Sequence, residues 1–110
     1  MYLQLYQIKK HLNIDSDFTD DDEYLMDLAS AAELAVQKSI DTNLADLEDG
    51  DGMIPSPLLI AALHLVGTWY SDRESVAHTG VSVLPHSYEF LINLYRDYQN
   101  ISGTTNTLHP

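Results

Sequence analysis

Between Leu58 and Val66 the chain has a single polar position, His64. A surface helix carries one apolar stripe, so a helix that is apolar nearly all round needs cover on most of its sides. Ser56 suits the N-cap of such a helix, and Pro57 suits its first position, where a missing N–H loses nothing. Gly67, Asp72 and Arg73 interrupt the run too early for it to cross a bilayer. The pattern predicts a buried central helix over about 57–75, with the rest of a small domain packed around it.

The flanking segments repeat the helical period. Leu5, Ile8 and Leu12, with Leu3 nearby, predict a short amphipathic helix over Tyr2 to Leu12, with Gln4, Gln7, Lys9 and Lys10 off the stripe. Lys9, Lys10 and His11 fall at its negative pole. Asn13 to Phe18 form a polar connection. A second and longest helix is predicted over 19–40, capped by Thr19 or Asp20, with Asp20, Asp21, Asp22 and Glu23 in its first turn. Its stripe is Tyr24, Leu25, Leu28, Ala31, Ala32, Ala35 and Val36, and the small residues Ala29 to Ala32 admit a close neighbour. Asp41 to Met53 reads as a flexible acidic loop with one turn at Leu44 to Leu47. Val76 to Leu84, containing Gly80, reads as another loop. Pro85 opens a last helix with Tyr88, Leu91, Ile92 and Tyr95 on one face, ending near Asp97 or Tyr98. Gln99 to Pro110 is polar and predicts a disordered tail. The expectation is an all-α domain of about four helices over 1–98, followed by that tail.

Charge changes the picture more than size does. The 110 residues suffice for one modest core, and with no cysteine there is neither disulfide nor thiolate chemistry. Nothing resembles a signal peptide, so an intracellular origin is expected. Seventeen acids face five bases, giving a formal net charge of -12 and a pI near 4.3. Such a chain repels nucleic acid and anionic membranes, because phosphate binding needs Lys and Arg to displace counterions.

Candidate chemistry is thin. The Asp46–Gly52 run offers no register with calcium ligands at the first, third and fifth positions, Gly at the sixth and Glu at the twelfth. Asp20 to Glu23 point in four directions around one turn and cannot converge on one ion. Ala61, Ile60, Gly67 and Thr68, one turn from His64, are not strong ligands, so a hydrogen-bonded core or interface histidine is expected there. Ser71 beside Asp72 lacks a nucleophile elbow. No metal, no cofactor and no catalytic residue is expected.

Four segments, in order, carry a resemblance: Leu5 to Asp15, with Lys10 before His11-Leu12; Asp21 to Leu25 followed by Ala31-Ala32-Glu33; Leu63 to Glu74, ending in an aromatic pair and Arg73-Glu74; and Leu84-Pro85 with Leu91 and Tyr95-Arg96. Over about 3–98 the chain resembles the head–tail connector proteins of tailed bacteriophages, also described as DNA-packaging or head-completion adaptors. The resemblance implies a non-enzymatic virion subunit, made in the bacterial cytoplasm. It implies assembly into a ring of about a dozen copies. Such a ring docks on the portal protein, continues the DNA channel and receives a head-closure or tail protein, while DNA passes without specific binding.

Two groups of residues are candidates for that work. Trp69, Tyr70, Arg73, Glu74 and Arg96 are candidates for subunit contact, since aromatics and Arg are enriched at interface centres. For Trp69 alone, closure of the core is the favoured reading. Asp46, Glu48, Asp49 and Asp51 are candidates to face the channel or a partner. The rival reading is a stand-alone acidic protein that imitates DNA and binds a nucleic-acid-binding partner.

Overall fold

The computed structural model of the chain describes residues 1–72 and 86–108, with side chains as far as residue 99 apart from that of residue 98. Its described elements are all helical: α1 Leu5–Leu12, α2 Asp22–Ile40, a short 3-10 helix Leu44–Leu47, α3 Ser56–Ser71 and α4 His86–Leu108. The predicted order and the turn at Leu44 are both present. The loop expected at 76–84 lies outside the described residues.

α3 is the central element and packs against α1, α2 and α4. Leu58, Ala61, Ala62, Leu65 and Val66 are buried on it. They meet Leu25, Ala29, Ala32 and Val36 of α2, Ile8 of α1, and Tyr88, Ile92 and Tyr95 of α4 in one core. Burying a leucine such as Leu58 or Leu65 contributes about 1.5–3 kcal/mol. The cover is not complete, since Ile60 is 41% exposed. On α2 the buried stripe runs through Ala29 in place of the expected Ala31, which faces solvent. Alanines at two successive turns, Ala29 and Ala32, let the α3 backbone come close.

The helix ends differ from the sequence reading for local reasons. α1 starts at Leu5 and not at Tyr2, because the N–H groups of Tyr2 and Leu3 donate to the carboxylate of Glu33 at 2.9 and 2.8 Å. Gln7 Oε1 accepts from the Gln4 N–H as the first turn begins. α2 starts at Asp22, so the N-cap is Asp21 and not Thr19 or Asp20. α3 is capped at Pro55, one residue before the expected Ser56, and it ends at Ser71 with Asp72 as C-cap. Asn13 and Asp41 close α1 and α2 in left-handed backbone with φ of 58° and 54°. In both, the next residue's N–H reaches back five positions, Ile14 to Lys9 at 2.8 Å and Thr42 to Gln37 at 3.3 Å. α4 extends past the expected end at Asp97 or Tyr98, and its buried positions are Tyr88, Ile92 and Tyr95.

Candidate functional site

Two buried charges, neither of them singled out by the sequence, hold the α1–α2 corner. Lys9 sits in the i+4 slot of the stripe Leu5, Ile8, Leu12 and is buried. Its Nζ donates to the carbonyls of Phe18 at 2.7 Å and Ser16 at 3.3 Å, and lies 2.7 Å from Asp22 Oδ1 as an ion pair without hydrogen-bond geometry. One ammonium therefore ties α1, the connection and the first turn of α2 together. Glu33 fills the same slot in the stripe Ala29, Ala32, Val36 and takes both N-terminal amides on one oxygen. The signal was present in the sequence: a charged residue falling where the apolar period calls for a core position.

The acidic run at 20–23 serves tertiary structure as much as the helix end. Asp21 makes no capping hydrogen bond; its Oδ2 accepts from the Tyr70 hydroxyl at 2.5 Å, joining the end of α3 to the start of α2. The rings of Tyr24 and Tyr70 lie 6.2 Å apart over that junction. Trp69 is half-buried and packs against the core. Of the subunit-contact candidates, Tyr70 is thus engaged within the chain, and Arg73 and Glu74 lie outside the described residues. Arg96 is exposed and donates to the Ser39 carbonyl near the end of α2. Beside it the Tyr88 hydroxyl is 2.5 Å from Ser39 Oγ and donates to the Ala35 carbonyl at 3.2 Å; burial pushes that phenol's pKa up.

The second acidic run folds on itself. Asp49 Oδ1 accepts the N–H groups of Asp51 at 2.8 Å and Met53 at 3.0 Å, and these bonds hold its pKa below the usual carboxylate value. Gly52 turns the chain at φ 75°, a conformation side chains disfavour. Asp46, Glu48, Asp49 and Asp51 are all exposed, so the structure brings the four candidates to one outward-facing loop. Glu48 also accepts from the Tyr2 hydroxyl, and that bond is the main reason the phenol's pKa is pushed up to about 12.

A histidine pair occupies the groove between α1 and α3. The His11 and His64 rings lie 5.4 Å apart, and His64 Nδ1 is 2.7 Å from Ser87 Oγ, linking α3 to α4. Gly67 lies beside this groove, where a Cβ would stand at ordinary contact distance, 3.4 Å from Leu12 and 3.5 Å from the His11 ring. Desolvation, and secondarily His64, lowers the His11 pKa. Among the described residues no three His, Cys, Asp or Glu side chains are grouped to hold a metal ion, and no helix is long and apolar enough to cross a membrane.

The described residues form an acidic helical bundle that gathers four carboxylates on one outward-facing loop. A family model for phage gp6-like head–tail connector proteins matches residues 2–96, and the chain belongs to that family. No curated protein and no solved structure matches alongside it. The family assigns the chain a structural role at the phage head–tail connection, as a virion component that meets other virion proteins such as portal or tail proteins.

Proposed function

We propose that this connector subunit assembles into a ring of about a dozen copies on the portal, continues the DNA channel, and presents carboxylates to the lumen. One observation carries the reading. Among the described residues thirteen exposed carboxylates stand against three exposed cations, Lys10, Lys38 and Arg96, while Lys9 is spent inside the fold. A wall of that sign repels passing phosphates over a Debye length of roughly 8–10 Å, so DNA slides without adhering. Asp46, Glu48, Asp49 and Asp51 are the proposed channel-facing or partner-facing group. Trp69, Tyr70, Arg73, Glu74 and Arg96 are proposed near subunit contacts, within a domain ending near residue 98.

The test is a cryo-electron microscopy reconstruction of the chain bound to its portal ring. The reading requires an annulus of copies with an acidic lumen. A basic or neutral lumen overturns the channel role, and a single copy bound at the side of the portal overturns the ring.

A further inference from the structure

His64 has no strong metal ligand one turn away on α3, but the fold supplies one from α1. His11 stands across the groove with its ring centre 5.4 Å from that of His64. With metal–nitrogen bonds of about 2.0–2.1 Å, two imidazoles on one tetrahedral ion hold their ring centres roughly 5 Å apart, so the spacing suits a shared ion. The Nε2 of His11 is turned towards α3, 3.5 Å from where a Cβ on Gly67 would stand, and Gly67 lies one turn beyond His64.

The nitrogen that His64 can offer is defined by its other bond. Its Nδ1 is 2.7 Å from Ser87 Oγ. With the Nδ1 proton donated to that hydroxyl, the lone pair of Nε2 is left for a ligand bond. Histidines that bind metals are commonly held in this way, one nitrogen on the ion and the other on an oxygen. The place is also open to an ion. His11 is exposed, His64 is half-buried, and both line one groove with Thr68, Ser71 and Asp72. No lysine or arginine lines that groove among the described residues, and a net charge of -12 draws cations to the surface as a whole.

We propose that His11 and His64 form a two-point site for a divalent ion of the zinc class, with water in the remaining ligand positions. Structural zinc sites have four protein ligands and catalytic ones three, so a two-histidine site does neither job. Its effect is mechanical: the ion clamps α1 to α3, whose His64 is already bonded to the start of α4. Imidazole selects zinc, nickel and copper, whereas the exposed carboxylates elsewhere on the chain suit calcium and magnesium. The inference does not depend on the ring.

Calorimetric titration of the whole chain with Zn²⁺, Ca²⁺ and Mg²⁺ tests it. One Zn²⁺ binds per chain, and neither Ca²⁺ nor Mg²⁺ displaces it. His11→Gln and His64→Gln each weaken Zn²⁺ binding roughly tenfold or more, and the double variant binds no more weakly than either, because a chelate is lost with its first arm. Replacing His78, His86 and His109 together by Gln leaves the affinity unchanged. Zn²⁺ also raises the thermal midpoint of the unsubstituted chain, since the two histidines meet only in the folded state. A further readout needs no variant to fold: the ring nitrogen resonances of His11 and His64 move together as one equivalent of Zn²⁺ is added. Zinc binding that survives either single replacement, that disappears with the other three histidines, or that Ca²⁺ displaces overturns the site. So does the absence of a one-to-one complex.

Discussion

The acidic runs Asp20–Glu23 and Asp46–Asp51 look alike in composition and are treated oppositely by the fold. In the first, the two middle residues are drawn inward while Asp20 and Glu23 stay exposed: Asp22 pairs with the buried Lys9, and Asp21 takes the hydroxyl of Tyr70 from the far end of α3. The second stays outside and is shaped by its own backbone, with Asp49 closing a turn over Gly52. A carboxylate near a helix start is available to any donor the tertiary fold brings. One in a glycine-punctuated loop has only its neighbours, and its charge remains on the surface for whatever passes.

That contrast can be broken by substitution, beginning where the effect is largest. Lys9→Met leaves Asp22 without its cation and two carbonyls without their donor; the expected loss is about 3 kcal/mol in urea unfolding. A loss near zero would mean that the corner is held by packing alone. Asp21→Ala removes a charge-assisted bond at a half-buried site and should cost about 1.5 kcal/mol. In the outer run, Asp49→Ala should cost about 0.5–1 kcal/mol through the opened turn, and Asp46→Asn or Asp51→Asn should stay within about 0.5 kcal/mol. If Asp46→Asn proved as costly as Asp21→Ala, the two runs would not differ as described.

A smaller effect separates pH windows. His11 has a folded pKa below its ordinary 6.5, so between the two values the unfolded chain holds a proton that the folded chain does not. Its contribution is therefore fully present above about pH 6.5 and falls as the pH is lowered. Unfolding midpoints at pH 7.5 and pH 5.5 should lie closer together for His11→Gln than for the unsubstituted chain. An unchanged gap would show that the His11–His64 groove does not sense pH. Asp49 also has a lowered pKa, and its share is lost only as the pH falls below the ordinary carboxylate value.

The architecture was legible because periodicity reports burial. The apolar run of α3, the stripe of α4 and the turn at Leu44 all lie where hydrophobic spacing put them. What escaped is long-range and polar. Glu33 binds amides 30 and 31 positions away, and no local pattern specifies that reach. Those same bonds hold Tyr2 and Leu3 out of α1, so a missed tertiary contact moved a helix start. Lys9 falls in the last turn, where a cation suits the helix end, but its place in the stripe is the one that turns it inward. Both buried charges share that mark, a charged residue in the i+4 slot between apolar neighbours. Of the candidate site, the acidic loop was legible as exposed charge, while the engagement of Tyr70 with Asp21 needed the fold.

The central claim is that this family member works as a closed ring with the portal. Native mass spectrometry of the purified chain mixed with its portal ring tests it most directly. The account predicts one discrete complex whose mass equals the portal plus about a dozen copies, with few partial occupancies, because each added copy completes the next contact. A graded series of complexes with one, two or three copies bound independently, or no complex at all, would contradict it.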